Sequence, residues 1–231
     1  MKAVVLGGSR GIGAGIVKRL ASDGWDVAFT YLGSADAAKD MASAIGADAR
    51  KVDSSDRKAV ANLLSDIGPI DALIVNAGIA VGGDPLNSDP DEIDRMIDVN
   101  LRGAWHAAVE GARAMNDDGR IVFIGSVNGD RMPAAGGAAY AMTKAGLQGA
   151  ARGLARDFGK RGITVNVVQP GPVDTDMNPA DGEHVKAMYG AMAIRRHARA
   201  DEVAAMVAYL LTPEAAMVTG GTLNIDGGFA A

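Results

Sequence analysis

The sequence contains no cysteine. That absence excludes disulfides, thiolate metal sites and a cysteine nucleophile, and it fits a reducing compartment. Aromatic residues are scarce, at 4% of the chain, so the core must be assembled from Ala, Val, Ile, Leu and Met. No apolar run approaches the ~20 residues that span a bilayer. The apolar start at residues 3–6 is too short for a signal-peptide core. A cytoplasmic location with no membrane partner is therefore expected. A basic surplus is missing too: the net charge is −5, which gives no electrostatic reason to expect a nucleic-acid polymer as partner. The three histidines (His106, His184 and His197) are widely spaced and form no metal-ligand motif, so no metal is expected.

What is present has a regular rhythm. Short β-branched runs at 3–6, 27–31, 49–52, 72–75, 120–124, 164–168 and 222–225 alternate with Ala-rich amphipathic stretches near 11–23, 35–45, 56–66, 90–115, 140–159 and 200–211. Strands that are apolar throughout suit a parallel sheet covered on both faces. Right-handed crossovers then give an α/β fold: a Rossmann-like, doubly wound parallel sheet with helices on both faces. Ser88-Asp89-Pro90-Asp91-Glu92 supplies capping side chains, a first-turn proline and acids at the positive end of a helix. With no repeat and no linker, residues 1–231 read as one domain, its first half suited to a cofactor and its second to catalysis and a substrate lid.

Two motifs carry chemistry. The first strand runs into Leu6-Gly7-Gly8-Ser9-Arg10-Gly11-Ile12-Gly13. Glycines after a strand let the backbone turn tightly and approach a pyrophosphate, which then rests on helix N-terminal amides. Many strand-to-helix turns carry glycine for steric reasons alone. The second motif is Tyr140-x-x-x-Lys144, two side chains on one helix face about a turn apart. A phenol is a poor acid at neutral pH, and a nearby ammonium is expected to pull its pKa down toward the working range. The same spacing also arises by chance on solvated helices.

The Gly-x-x-x-Gly-x-Gly turn combined with Tyr140 and Lys144 closely resembles the short-chain dehydrogenase/reductase family. The resemblance covers essentially the whole chain. Asn76-Ala77-Gly78 matches the segment after the fourth strand, Asn100 the helix asparagine and Ser126 the serine ending the fifth strand. Pro170-Gly171-Pro172-Val173-Asp174-Thr175 matches the loop that covers a nicotinamide, and Asp226-Gly227-Gly228 the C-terminal segment. The resemblance implies hydride transfer between a ketone and a secondary alcohol. Tyr140 would be the proton donor, Lys144 would hold the nicotinamide ribose, Ser126 would bond the substrate oxygen, and Asn100 would hold a relay water. It also implies cofactor contacts at Gly7, Ser9, Arg10, Gly11, Ile12, Gly13, Tyr31, Ser34, Asp53, Ser54, Asn76, Ala77, Gly78, Tyr140, Lys144, Pro170, Gly171, Val173 and Thr175.

Charge bears on which cofactor. The second strand ends Thr30-Tyr31-Leu32-Gly33-Ser34, with no carboxylate to grip a free ribose. Arg10 beside the glycine turn suits a 2′-phosphate, and Ser34 adds a donor, so NADPH is favoured over NADH. Asp53 and Ser54 either contact the adenine or cap the helix that follows.

Two departures from the family pattern stand out. Leu6 replaces a threonine that often opens the glycine motif, so one bond near the turn is missing or replaced. The loop from Ser126 to Tyr140 is one residue longer than usual and holds the charged pair Asp130-Arg131. Arg131 either pairs with Asp130 or another neighbour, or meets an anionic ligand. Met177, Met188, Tyr189 and Met192 suit an apolar lid or simple core packing.

Within the family the chain is generally similar to β-ketoacyl carrier-protein reductases. Its odd loop, with Gly125-Ser126-Val127-Asn128-Gly129-Asp130-Arg131-Met132-Pro133, is similar to that of a cyclic-di-GMP-binding bacterial regulator of biofilm dispersal. That likeness implies an alternative, a signalling-nucleotide binder on the same fold. Family resemblance further implies a homotetramer. Gly146, Gly149 and Gly153 permit close approach of another helix, from within the subunit or from another copy.

Overall fold

Glycine and β-branched residues alternate along the chain with the spacing of strand-turn-helix units, and the computed structural model, which describes residues 1–33, 35–181 and 185–231, shows what they build. Among the described residues there are seven strands: β1 (Lys2–Leu6), β2 (Asp26–Tyr31), β3 (Asp48–Lys51), β4 (Ile70–Val75), β5 (Met115–Ile124), β6 (Thr164–Pro170) and β7 (Thr222–Ile225). They pair in parallel in the order β3-β2-β1-β4-β5-β6-β7. The direction of winding reverses between β1 and β4, which opens a crevice at the carboxyl ends of those strands.

Side chains alternate across the sheet into two apolar layers. Val4 and Leu6 of β1 face a layer shared with α3 (Arg57–Ile67), α5 (Ala104–Ala114) and α6 (Ala138–Phe158). Ala3 and Val5 face the other layer, shared with α1 (Gly11–Ser22), α2 (Ala35–Ile45) and α8 (Ala200–Leu210). Strands buried on both faces explain why the sequence reads as continuous apolar runs. Full burial of Phe29, Phe123 or Leu73 contributes about 1.5–3 kcal/mol each.

One expected element divides. The stretch 90–115 is not a single helix but α4 (Pro90–Ile97), a wide π turn at Asp98–Gly103, and then α5. Asp89 caps α4 through its carboxylate, which accepts from the Asp91 N–H at 2.9 Å. The π turn is where Asn100 reaches sideways, as described below. A short α7 (Val185–Gly190) forms in the segment read as a lid. Among the described residues no helix is long and apolar enough to cross a membrane.

Candidate active site

The glycine turn is shaped by backbone packed on backbone. Gly7 has φ +80°, and a Cβ there would lie 2.8 Å from the Ala77 Cα. Its carbonyl accepts from Asn76 Nδ2 at 2.6 Å, which ties the turn to the end of β4. Its N–H donates to Thr30 Oγ1 at 2.9 Å, so β2 supplies the hydroxyl that Leu6 does not. Gly13 stands behind the turn, where any Cβ would press on the Gly7 carbonyl. Arg10 occupies the N-cap of α1 but makes no side-chain capping bond, leaving first-turn amides available to an anion.

The turn forms one side of a cleft of about 440 Å³. Gly7, Ser9, Arg10, Gly11 and Ile12 line it, with Tyr31, Asp53 and Ser54 from the ends of β2 and β3. Asn76, Ala77 and Gly78 follow β4, and Tyr140, Lys144 and Thr175 complete the expected lining. Gly13, Pro170, Gly171 and Val173 are not in the lining. Pro170 ends β6, and Gly171 donates to the Ile225 carbonyl at 3.1 Å, so this loop is braced by β7. Val173 is buried and bridges to Ala198. Ser34 lies outside the described residues, as does His184.

The catalytic candidates converge where β5 ends against α6. Ser126 follows β5 and Gly125 of the cleft lining, and its hydroxyl accepts from the Asn128 N–H at 3.2 Å. Lys144 is buried and donates to the Ile124 carbonyl at 3.0 Å. That leaves two of its three ammonium donors for ribose hydroxyls. Its Nζ lies 5.7 Å from the centroid of the Tyr140 ring. Gly78 sits between Lys144 and Asn100, where a Cβ would be a close fit, 3.4 Å from Nζ and 3.3 Å from Asn100 Oδ1.

The electrostatics correct one expectation. Tyr140 is not pulled toward neutrality by Lys144. Burial raises its pKa above the ordinary 10.0, and the opposing influence is a hydrogen bond with Ser126. Burial also pushes Lys144 down from 10.5 to about 8. Desolvation disfavours the charged form of both groups, and at this separation it outweighs their attraction.

Asn100 is fastened to the main chain. Its Oδ1 accepts from the Ile79 N–H at 2.9 Å, and its Nδ2 donates to the Ile79 carbonyl at 2.8 Å and to Thr143 Oγ1 at 3.2 Å. The side chain thus holds the segment after β4 against the π turn.

At the β3 end, Asp53 accepts from the Ser55 N–H at 2.9 Å and from Arg95 Nη2 at 2.8 Å. Burial alone would raise its carboxyl, but the bonds from Ser55 and Arg95 outweigh this and hold it below the usual carboxylate range. The helix cap is Asp56, which accepts from the Lys58 and Ala59 N–H groups, so Asp53 is free of that task. Arg95 itself lines the cleft and was missed in the sequence. No local signal could have found it, because its partner lies 42 residues away.

Arg131 bonds another neighbour rather than Asp130, as one of its two readings allowed. Among the described residues no Asp or Glu side chain forms an ion pair with it, and it does not line the cleft. Its Nη1 donates to the main-chain oxygens of Phe229 at 2.7 Å and Ala231 at 3.4 Å. Of the methionines considered for a lid, Met177 lines the cleft, whereas Met192 is buried against Val127 and Phe229. His197 is buried and meets the Tyr189 hydroxyl through Nδ1 at 2.9 Å.

The residues present fit a dinucleotide: an uncapped helix start behind bare glycines, a cation beside it, and an under-bonded ammonium at the inner end. The fold and this site define a class, and sequence comparison agrees. A family model described as Enoyl-(Acyl carrier protein) reductase matches residues 7–230. The chain belongs to the short-chain dehydrogenase/reductase family. It is 57% identical over 228 residues to the cyclic-di-GMP-binding biofilm dispersal mediator protein of Escherichia coli, covering 99% of this chain and 96% of that one. It is 37% identical over 230 residues to the 3-oxoacyl-acyl-carrier-protein reductase MabA of Mycobacterium tuberculosis, covering 97% and 91%. A crystal structure of BdcA in complex with NADPH superposes with a TM-score of 0.98 at 56% identity, over 100% of this chain and 94% of that one.

Proposed function

We propose that this chain is an NADPH-dependent oxidoreductase acting between a ketone and a secondary alcohol. The observation that carries the reading is the convergence of Tyr140 and Lys144 in the same cleft as the glycine turn, with Ser126, next to the lining residue Gly125, hydrogen-bonded to Tyr140. Arg10 and the first-turn amides of α1 hold phosphate oxygens, with Arg10 selecting the 2′-phosphate. Gly7, Gly11 and Gly78 let the cofactor lie against bare backbone. Lys144 holds the nicotinamide ribose through its two remaining donors. When bound, the nicotinamide supplies the hydride.

The chain's own groups handle the proton. Tyr140 donates it to the carbonyl oxygen, and Ser126 hydrogen-bonds that oxygen as charge develops on it. Burial keeps Tyr140 protonated but makes it a weak donor in the free chain. Lys144 stabilises the phenolate left behind. Asn100 keeps the Ile79 main chain beside Lys144 and supports the water that returns the proton. Assays of NADPH oxidation across ketones and ketoacyl thioesters test the reading; NADPH binding without turnover on a broad panel would defeat it.

A second reading, that the chain binds cyclic-di-GMP, is supported by the 57% identical Escherichia coli relative whose name states that ligand. Arg10 and Arg95 in the cleft lining supply cations for a cyclic dinucleotide. Calorimetry with cyclic-di-GMP tests it, and silence at high ligand concentration ends it.

The same proposal includes a single domain over 1–231, a cytoplasmic location and a homotetramer. Gly146 packs inside the subunit, where a Cβ would lie 2.7 Å from Leu101 Cδ1. Gly149 and Gly153 face open space, and Trp105 and Met142 are exposed large hydrophobics on α5 and α6. That surface suits helix packing against another copy. Sedimentation as a monomer at micromolar concentration would refute the assembly.

A further inference from the structure

We propose that Arg131 is a positioning residue that fixes the substrate-side wall beside Ser126 by holding the C-terminal segment 226–231. Its role in turnover rests on the reductase reading, but the strut itself does not.

The segment is a wedge between two others. On one side Phe229 is buried against Val127, the residue after Ser126. On the other it is buried against Met192, and the Ile194 N–H donates to the Gly227 carbonyl at 2.8 Å. Close packing is enforced at Gly227, where a Cβ would lie 3.0 Å from both the Ile194 carbonyl oxygen and Met192 Cε. Asp226 curls the wedge by accepting from the Gly228 and Ala230 N–H groups, each at 2.9 Å. Phe229 therefore touches the Ser126 side and the α7 side at once.

Arg131 and Asp130 lock this wedge to the catalytic helix. Arg131 bonds the Phe229 and Ala231 oxygens, as above. Asp130 accepts from Gln148 Nε2 at 2.7 Å and from Gln169 Nε2 at 2.5 Å. Gln148 lies one helical turn past Lys144 on α6, and Gln169 precedes Pro170 at the end of β6. The charged dipeptide thus joins α6, β6 and the C-terminal segment at the base of the Ser126 loop. Charge-assisted bonds of this kind contribute more than neutral ones, and their loss loosens whatever they hold.

Two variants test the strut, Arg131→Met and Arg131→Lys, with carbonyl kinetics, NADPH affinity and amide hydrogen exchange read on each. Arg131→Met should raise KM for the carbonyl roughly tenfold while the NADPH Kd changes by less than about twofold. Arg131→Lys, which keeps a cationic donor, should recover most of the loss. The Ile194 amide and residues 126–131 should exchange roughly tenfold faster in Arg131→Met, with the 7–13 turn unchanged. Unchanged exchange at Ile194, or a uniform acceleration across the sheet, would overturn the proposal. So would an unaltered KM in a variant that has merely lost thermal stability. If the wild-type chain reduces no carbonyl, the reductase reading fails and the exchange pattern still decides the strut.

Discussion

The ammonium of Lys144 lies 5.7 Å from the centroid of the Tyr140 ring and gives its hydrogen bond to the Ile124 carbonyl. Its charge is held at a cost to the fold, because burial lowers its pKa to about 8. Between that value and 10.5 the unfolded chain keeps a proton that the folded chain has released. Stability should therefore rise with pH across this window on account of Lys144. Lys144→Met removes the effect. At pH 7 the cofactor-free variant should be more stable than the parent, by up to about 3 kcal/mol, while NADPH affinity falls. Denaturant titrations of both proteins at pH 7 and pH 10 check this; a variant less stable than the parent at pH 7 would contradict it.

Asn100→Ala should cost about 1–3 kcal/mol for each Ile79 group left without a partner. The damage should be local to the π turn and the segment after β4. Thermal melts measure the loss, and hydrogen exchange at the Ile79 amide locates it.

Cofactor choice rests on Arg10. Arg10→Ala should weaken NADPH roughly 10–100-fold, the range for one charge-assisted bond, and leave NADH nearly unchanged. Fluorescence titration with both cofactors provides the ratio. Equal loss for the two would place Arg10 away from the 2′-phosphate.

Cyclic-di-GMP, if it uses the arginine-lined cleft, should compete with NADPH. Calorimetric titration into the NADPH-saturated protein should then give a lower apparent affinity than titration into the free protein. Independent binding of both would put the cyclic dinucleotide elsewhere.

The five inner strands were legible because they are buried on both faces over most of their length and carry apolar runs, whereas the edge strands β3 and β7 are largely exposed. The Thr222–Ile225 strand falls where the sequence placed it. The break in 90–115 was not legible, since no proline interrupts Asp98–Gly103 and the deviation comes from Asn100 bonding Ile79 across the fold. Long-range partners hid the same way. The Asp53–Arg95 pair and the Arg131–Phe229 bond join residues far apart in sequence, so neither leaves a periodic trace. The direction of the Tyr140 shift was misread because a four-residue spacing reports proximity and says nothing of burial.

The most direct test of the account is a single-turnover comparison of the parent and Tyr140→Phe, each saturated with NADPH and mixed with a ketone that the parent reduces. The account expects NADPH consumption and alcohol formation in the parent, and a rate roughly 10²–10⁴-fold slower in the variant at similar NADPH affinity. Equal rates in the two proteins would contradict it, because the proton would then come from a group other than Tyr140.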